Sequence, residues 1–344
     1  MSDFSLNKIL SYSKLLRQKP LVAKRIIGGV VRSKILKQKP LRNIEIQITP
    51  DCNSKCVMCF SSRLKCTDKP MISPAEIKTF WNDCLEMGAL CAVITGGEPF
   101  MRPDLFEIIA ALQPKKTLIG FLTNCLTVTE ENIRQLKESM VDYLQVSLDG
   151  LSAEENDKIR GIDGHFDKVM KVIEYAKKYK IMTSVSFTIT HQNIHRLDDI
   201  CKFAKENDLF LNPTPAVPVG NWKDSESVML HDEDWKHLDK LIKKYPQMRL
   251  CFSLNYEGKS QYPAGREKFC LSPYGDVMGC SLNHVSFGNL RNENLKSIWN
   301  KMTSFSHFQT DYKYCRPAGE KKYIDRVTRK INQSDKSPIY YKDL

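Results

Sequence analysis

Hydrophobic and polar positions follow two alternating periods between residues 43 and 215. Ile44, Ile46 and Ile48 alternate with polar neighbours, which is typical of a strand, and Ser73 followed by Pro74 then predicts the capped start of a helix. The further strands are predicted over 91–95, 117–122, 143–148, 181–189 and 210–214, and the further helices from about 104 and over 129–140, 165–179 and 197–206. Six strand–helix units predict an α/β fold. We expect a partial (β/α)6 barrel, similar to a TIM barrel but open on one side, since a full barrel has eight units.

The N-terminal region is basic and helical in pattern. Residues 6–17 and 21–36 predict two amphipathic helices separated by Pro20, and residues 1–45 hold eleven Lys and Arg against two acidic residues. This region has three interpretations: packing on the barrel, binding of nucleic acid or another anionic partner, or contact of residues 1–40 with an anionic membrane. Aromatic residues are sparse here, so nucleic acid is disfavoured. We favour packing, with peripheral membrane contact as the alternative.

The C-terminal region departs from the strand–helix order. After a helix over 231–244, residues 268–281 predict a hairpin and 295–302 a helix. The end of the chain is basic and polar, and we expect it to be partly disordered. The domain organisation predicted is N-terminal helices over 1–42, the barrel over 43–244, a small hairpin-plus-helix domain over 245–320, and the basic tail over 321–344.

Composition limits the class of protein. The chain has 344 residues, of which 42% are hydrophobic, enough for a packed core. No apolar run reaches the eighteen residues or so of a membrane span, and the N-terminus lacks the features of a signal peptide. Twelve cysteines without an export signal favour metal or catalytic use in a reducing compartment. We therefore expect a cytoplasmic protein, with the inner face of the membrane as the alternative site of contact.

Three cysteines stand directly after the first predicted strand. Cys52, Cys56 and Cys59 have C-x3-C-x2-C spacing and no fourth cysteine in the motif. A structural zinc site or an ordinary [4Fe–4S] cluster usually has four protein ligands, so three thiolates leave one metal position open to a small molecule. The alternative is half of a zinc site, completed by Cys66 or a distant histidine.

This spacing after a strand resembles that of radical S-adenosylmethionine (radical SAM) enzymes, and the resemblance extends over residues 43–215. Residues 245–320 resemble the twitch or SPASM domain of one branch of that family. The resemblance implies a [4Fe–4S] cluster on the three cysteines, with S-adenosylmethionine (SAM) at the open iron. It also implies reductive cleavage of SAM to a 5′-deoxyadenosyl radical that abstracts hydrogen from a substrate. The expected partners are a reductant such as flavodoxin or ferredoxin and an unidentified sugar or nucleotide sugar, polyol or peptide.

Further cofactor residues follow from the same resemblance. Met58 occupies the apolar position that lies near the adenine. Gly96, Gly97, Glu98 and Pro99 match the motif that receives the methionyl amino group. Physical chemistry agrees, because glycines let carbonyl groups approach a ligand and a glutamate provides negative charge for an ammonium group.

Two later strand ends also match the family. Ser147 and Arg160 correspond to residues that hold the cofactor carboxylate. The alternative is a satisfied hydroxyl at Ser147 and a solvated charge at Arg160. Asn124 stands where relatives have a Thr-Asn-Gly turn, but Cys125 replaces the glycine, so a different local backbone is expected.

The C-terminal region differs from its relatives at one cysteine. Tyr262 precedes the Pro-Ala-Gly sequence where relatives have a cysteine. Cys270 and Cys280 lie five residues before and after Gly275, which predicts that they are nearly cross-strand partners. With Cys315 they form a candidate three-thiolate site for a second [4Fe–4S] cluster. The alternative is a domain that keeps the fold without a cluster. The other cysteines are predicted to be packing residues: Cys66, Cys84, Cys91, Cys125, Cys201 and Cys251.

The leading hypothesis is thus a radical SAM enzyme. The rival from another class is a non-catalytic zinc- or iron–sulfur-binding scaffold protein. In its zinc form it predicts a colourless protein that does not cleave SAM, whereas an enzyme of this class is brown under anaerobic conditions.

Overall fold

The computed structural model describes residues 17–66, 68–251 and 261–344. Within them the strands form one sheet in the order β10-β9-β8-β7-β1-β2-β3-β4-β5-β6. The strands are β1 Asn43–Gln47, β2 Cys91–Thr95, β3 Leu118–Thr123, β4 Tyr143–Ser147, β5 Met182–Ile189, β6 Phe210–Pro215, β7 Lys268–Leu271, β8 Asp276–Cys280, β9 Asn283–Asn289 and β10 Ile339–Tyr340. The α-helices are α1 Pro20–Lys34, α2 Pro74–Glu86, α3 Leu105–Ala111, α4 Glu130–Glu138, α5 Ala153–Arg160, α6 His165–Lys178, α7 Leu197–Glu206, α8 Asp232–Lys244, α9 Leu295–Thr303, α10 Ser306–Gln309, α11 Arg316–Gly319, α12 Lys321–Tyr323 and α13 Arg329–Gln333.

Strands β1 to β6 pair in parallel with their neighbours in sequence. Ile44 and Ile46 on β1 are fully buried on the helix-covered face, together with Trp81 of α2. The alternation read from the sequence therefore separates a helix-packed face from an inner face. The open, partial barrel predicted from the six strand–helix units is confirmed.

Local signals explain the helix starts. Ser73 forms a capping box with Glu76, and its hydroxyl accepts a hydrogen bond from the Glu76 N–H at 3.2 Å. Helix α5 was not predicted, because it is short and mostly polar. Its start carries the same kind of signal, since the Ser152 hydroxyl accepts from the Glu155 N–H at 3.2 Å.

The C-terminal hairpin continues the barrel sheet. Strand β7 pairs in parallel with β1, so the hairpin over residues 268–280 belongs to the same sheet as the barrel strands. In the hairpin Cys270 lies directly opposite Met278, and Cys280 is two residues farther along β8, so the two cysteines are diagonal neighbours and not direct partners. The reason is the turn: the Ser272 N–H donates to the Asp276 carbonyl at 2.8 Å, which centres the turn on residue 274.

The tail is ordered, in contrast to our expectation of partial disorder. Tyr323, Val327 and Ile331 are buried at helical spacing, across α12, a π-helical turn over Ile324–Thr328, and α13. Strand β10 then pairs in parallel with β9, and Tyr341 stacks on Phe287 with ring centroids 5.2 Å apart. Although the segment is basic overall, its apolar residues recur at helical spacing, and they pack against the rest of the protein.

The N-terminal region packs on the barrel through Lys19. This side chain is 2% exposed and donates to the Thr117 carbonyl at 2.8 Å, the Met140 carbonyl at 3.0 Å and Asp142 at 2.5 Å. These partners precede β3 and β4, so the contact lies at the amino-terminal end of the strands. Of the two predicted N-terminal helices, the second is α1, and nearly all of the first lies outside the described residues. No helix formed by the described residues is long and apolar enough to span a membrane.

Candidate active site

The three motif cysteines lie on the loop that leaves the carboxyl end of β1. Cys52 is exposed, whereas Cys56 and Cys59 are half-buried. The loop turns back on itself, since the Cys59 N–H donates to the Cys56 carbonyl at 3.3 Å. The Ser61 hydroxyl lies 3.5 Å from the Cys59 sulfur. The carboxyl end of parallel strands is where barrel folds place their active sites.

Polar groups from the end of β3, from the end of α5 and from the loop itself reach the other two sulfurs. The Asn124 Nδ2 lies 3.5 Å from the Cys52 Sγ, and the Arg160 Nη1 lies 3.8 Å from the Cys56 Sγ. The Ser54 hydroxyl is 3.1 Å from the Cys56 Sγ. Burial raises the pKa of the Cys52 thiol. Donors at these distances are placed to hydrogen-bond sulfur ligands of a metal.

Two glycines are pressed against this loop. A Cβ on Gly97 would stand 2.1 Å from the Asp51 carbonyl oxygen, and one on Gly220 would stand 2.1 Å from that of Cys59. Gly220 also has φ +61°. The glycine at 97 therefore makes room for the cysteine loop itself, in addition to the ligand role that the sequence suggested.

The loop after β6 supports the cysteines, and sequence reasoning missed it. The Asn221 N–H donates to the Cys59 carbonyl at 3.0 Å, and its side-chain amide donates to the Cys56 carbonyl at 2.9 Å. On the other side, the Val57 N–H donates to the Ile159 carbonyl of α5 at 3.2 Å. The available signal was a Gly-Asn pair directly after the proline-rich segment 213–218.

Glu98 is fully buried and bonded to protein groups. Its Oε1 accepts from the Thr123 hydroxyl at 2.9 Å and the Phe100 N–H at 3.2 Å, and its Oε2 accepts from the Asn124 N–H at 2.7 Å. Burial raises the pKa of this carboxyl to about 7. Its visible role is to join the ends of β2 and β3; contact with a ligand ammonium group remains a prediction.

Arg160 is buried beside the cysteine loop and is not a solvated surface charge. Its guanidinium forms an ion pair with Asp149, and its Nε is buried without a hydrogen-bond partner. Ser147, at the end of β4, is half-buried opposite Ser186 of β5. Ser147 thus ends β4, and Arg160, at the end of α5, is held near the end of that strand by Asp149, with a buried Nε that bonds no other described group.

A buried histidine supports this arginine segment. His165, at the start of α6, is fully buried, and its Nδ1 lies 2.8 Å from the side-chain nitrogen of Asn156. Burial lowers the pKa of His165 to about 4. The Asn156 side chain in turn accepts from the Asp149 N–H at 3.0 Å. Sequence reasoning gave His165 only as the first residue of a helix.

The remaining predicted residues surround the loop. Asn124 also donates to the Asn53 side chain at 2.7 Å. Cys125 adopts φ +70°, the left-handed conformation that the replaced glycine would favour, so that conformation persists without a glycine. Met58 is half-buried between Cys56 and Cys59. Two other members of the Gly-Gly-Glu-Pro motif flank the loop, namely Gly96 with φ +143° and the buried Pro99.

A second group of thiols lies at the C-terminal hairpin. Cys280 and Cys315 are buried. Burial, followed by the charges of Cys251 and Cys280, raises the pKa of Cys315 well above its usual value. Burial, followed by Cys280 among other neighbours, likewise raises the pKa of Tyr262. The structure therefore brings Cys251, Cys280 and Cys315 around the tyrosine that stands in place of a cysteine.

Two further cysteines named from the sequence, Cys251 and Cys270, belong to the same region. Cys251 is exposed and is not a packing residue. Cys270 lies opposite Glu45 of β1, and burial, followed by the Glu45 carboxylate and Cys280, raises the pKa of this thiol well above its usual value. Glu45 itself forms an ion pair with Lys268 at 2.6 Å. The other cysteines predicted to pack are buried or half-buried: Cys66, Cys84, Cys91, Cys125 and Cys201.

The cysteine groups do not have the dimensions of a single-ion site. Within the described parts of the chain, the group of three metal-binding side chains whose ligand atoms lie within 4.8 Å of one another is His191, His231 and Asp234. Thiolates around a cluster stand farther apart than those around one zinc ion, because the cluster's own atoms fill the centre.

Comparison with known proteins agrees with the fold and the cysteine loop. The chain matches the radical SAM superfamily over residues 46–204 and the SPASM iron–sulfur cluster-binding domain over residues 263–318. The AdoMet-dependent heme synthase of Methanosarcina barkeri (strain Fusaro / DSM 804) is 25% identical over 291 residues, covering 77% of this chain and 83% of that protein. The mycofactocin maturase MftC of Mycobacterium tuberculosis (strain CDC 1551 / Oshkosh) is 27% identical over 278 residues, covering 75% and 70%.

Solved structures share the fold. Streptococcus suis SuiB bound to precursor peptide SuiA has a TM-score of 0.64 at 16% identity, covering 89% of this chain and 78% of that one. Native anSMEcpe with bound AdoMet and Cp18Cys peptide has a TM-score of 0.64 at 18% identity, covering 86% and 95%.

The partial barrel and its three-thiolate loop define an iron–sulfur α/β enzyme that uses SAM. The chain is a radical SAM enzyme with a C-terminal SPASM domain. The radical SAM domain implies a [4Fe–4S] cluster and SAM, and the SPASM domain implies additional iron–sulfur clusters.

Proposed function

We propose that this enzyme abstracts hydrogen from a peptide held inside the barrel. The observation that carries the reaction class is the cysteine loop at the carboxyl end of β1, with Asn124 and Arg160 against its sulfurs. Peptide substrates are favoured because SuiB and anSMEcpe, which share this fold, have been solved with peptides. A curated relative is also a PqqA peptide cyclase, from Rhizobium meliloti (strain 1021), at 23% identity.

The residues present fit a cluster with a small-molecule ligand. Cys52, Cys56 and Cys59 would hold three irons and leave the fourth to SAM. The unpaired Nε of Arg160 and the hydroxyl of Ser147 would bind the SAM carboxylate, since the ion pair with Asp149 holds Arg160 near the carboxyl end of β4, where Ser147 lies. When bound, the cluster and SAM supply a 5′-deoxyadenosyl radical. The protein's task is then to orient these groups and exclude water.

An amide inside the barrel supports a peptide substrate. Gln47 is 1% exposed, and neither atom of its side-chain amide has a hydrogen-bond partner in the structure. It shares the inner face of β1 with Glu45, two residues earlier. A buried amide needs a partner, and a peptide backbone offers the complementary donor and acceptor. We infer that Gln47 binds a backbone amide of the substrate.

The second cluster is assigned to the hairpin thiols. We propose Cys251, Cys280 and Cys315 as its ligands, with Tyr262 beside them, in place of the set with Cys270 suggested by sequence. The position of Tyr262 supports this choice, because burial, and then charges that include those of Cys280, Cys315 and Cys251, raise the pKa of its hydroxyl. Residues 245–320 hold four cysteines, sufficient for one cluster.

Release of 5′-deoxyadenosine tests the reaction class. Anaerobically reconstituted protein is incubated with SAM and either dithionite or reduced flavodoxin, the proposed type of physiological reductant. We expect a brown protein that releases 5′-deoxyadenosine with both. A colourless protein without product would contradict the proposal and favour the scaffold.

Substrate class is tested separately. Short peptides encoded beside the gene and Fe-coproporphyrin are compared as stimulants of 5′-deoxyadenosine release, because heme synthases are also among the relatives. We expect stimulation by a peptide. For that peptide, Gln47→Leu should raise KM while SAM cleavage without substrate stays unchanged. Stimulation by Fe-coproporphyrin alone would overturn the peptide proposal and leave the reaction class intact.

A further inference from the structure

Helix α1 has one face that packs on the barrel. Val22 and Gly29 are buried, and Arg25 and Arg32 donate to carbonyls at the C-terminal end of α2, at 2.7 Å and 3.1 Å. Lys19, just before the helix, is held by groups that precede β3 and β4. The helix is therefore held firmly by one side and by its N-terminal end.

The opposite face of α1 and the residues just after it are apolar, and no other part of the described chain covers them. Ile27 is 67% exposed and Ile35 is 70% exposed, with Val31 between them at 39%. These three follow i, i+4, i+8 spacing, so they form one stripe. Six of the nine large hydrophobic residues that are exposed in the described chain lie here: Leu21, Ile27, Val30, Val31, Ile35 and Leu36. Such concentration on one element marks an interaction surface.

Basic residues flank the stripe. Lys24 precedes Ile27 by three residues and Lys34 follows Val31 by three, which places one on each side of it. No acidic residue occurs between Asp3 and Glu45. An apolar stripe between lysines is the pattern of helices that lie in a membrane interface, with the apolar face among the acyl chains and the lysines at the phosphates.

We propose that α1 docks the protein on a membrane surface that contains anionic lipids. Ile27, Val31 and Ile35 enter the boundary of the acyl chains, and Lys24 and Lys34 contact the headgroup phosphates. A second copy of the same face is a poorer partner, because stacking two copies would bring lysines against lysines.

The position of α1 makes docking compatible with catalysis. Lys19 is bonded to groups that precede β3 and β4, at the amino-terminal end of the strands. The cysteine loop follows β1, at the carboxyl end. Docking through α1 therefore leaves the cysteine loop and the barrel mouth facing away from the membrane. The proposal does not depend on the substrate.

Vesicle sedimentation tests the proposal with the full chain. The protein is mixed with phosphatidylcholine vesicles, with and without phosphatidylglycerol, at low and high salt. We expect pelleting only with phosphatidylglycerol, and weaker pelleting at high salt. Ile27→Glu/Ile35→Glu should reduce binding at least about tenfold. The matched control is Met71→Glu, which places the same charge at an exposed apolar residue elsewhere and should bind like wild type.

Other occupants of this face would give different results. Equal pelleting with both vesicle types, or none, would overturn the proposal. A wild-type dimer in light scattering that the double variant converts to a monomer without lipid would assign the face to a second copy. A lower melting temperature of the double variant, with no lipid binding by wild type, would assign it to the protein's own chain. Lys24→Glu/Lys34→Glu tests the charges independently and should also release the protein from vesicles.

Discussion

The two cysteine groups of this enzyme are built in opposite ways. Cys52, Cys56 and Cys59 come from one eight-residue loop, are partly accessible, and stand near hydroxyl, amide or guanidinium groups. Cys280 and Cys315 are buried and come from distant segments. Local spacing can be recognised as a motif, whereas a group assembled by folding depends on strand register. The difference explains why the first group forms a recognisable motif, whereas the ligands proposed for the second changed once the strand register was known.

Loss of the first group should have the largest effect. Cys56→Ala is expected to lose about four irons per monomer and all release of 5′-deoxyadenosine, because a three-thiolate site cannot spare a ligand. Iron content and product are measured after anaerobic reconstitution. Cys66→Ala, a half-buried cysteine nearby, serves as control and should retain both. Retention of the chromophore and of product in Cys56→Ala would break the assignment.

Changes in the second group should separate iron from SAM cleavage. Cys280→Ala is expected to fall from about eight to about four irons per monomer while still releasing 5′-deoxyadenosine. Cys270→Ala should keep all the iron, since Cys270 lies opposite Met278. About four irons in wild type and in both variants would show that the hairpin holds no cluster. Loss of iron in Cys270→Ala would restore the ligand set predicted from sequence.

A side chain added against the loop of Cys52, Cys56 and Cys59 should have an intermediate effect on stability. Gly220→Ala should lower the free energy of unfolding by about 2–3 kcal/mol, because it combines a left-handed backbone with a clash at the Cys59 carbonyl. Gly164→Ala has a similar φ of +76° but meets nothing within 4 Å, so only about 1 kcal/mol is expected. Urea unfolding and iron content are measured for both. Equal losses would mean that contact with the cysteine loop does not matter.

Acid sensitivity should be the smallest effect, and it occurs in both regions. Burial lowers the pKa of His165, behind the first site, and of His284, on β9, to about 4 in each case. An unfolded histidine takes up a proton near pH 6.5, so this stability is complete above that pH and falls toward pH 4. At pH 5.5 each histidine should cost about 1 kcal/mol.

The urea midpoint at pH 7.0 and pH 5.5 measures this effect. His165→Gln should reduce the loss relative to wild type, and His237→Gln, at an exposed position, should not. Glu98 has the opposite sign, because burial raises its pKa to about 7 and its folded form takes up a proton first on acidification. The comparison between variants removes that common contribution. An unchanged loss in His165→Gln would show that its burial is not coupled to proton uptake.

Particular residues show which features could be predicted from the sequence and which could not. The alternation of Ile44 and Ile46 and the cap at Ser73 are local signals, and they gave strands and helices close to those observed. Gly220 and Asn221 carry no motif, because their importance lies in contact with a loop more than 150 residues away. The apolar stripe of the tail was hidden among basic residues. Contacts between distant segments leave little trace in one sequence.

The sequence by itself determined the strand–helix order, the thiolate loop after β1 and the basic amphipathic N-terminus, since each depends on spacing within a few turns of chain. Only the tertiary structure decided which side of α1 stays exposed, that β7 extends the barrel sheet, and that Cys270 lies opposite Met278. The turn is centred on residue 274 and not on Gly275, so the residue directly opposite Cys270 is Met278 and not Cys280. Register is set by how the hairpin packs, and packing is a property of the whole fold.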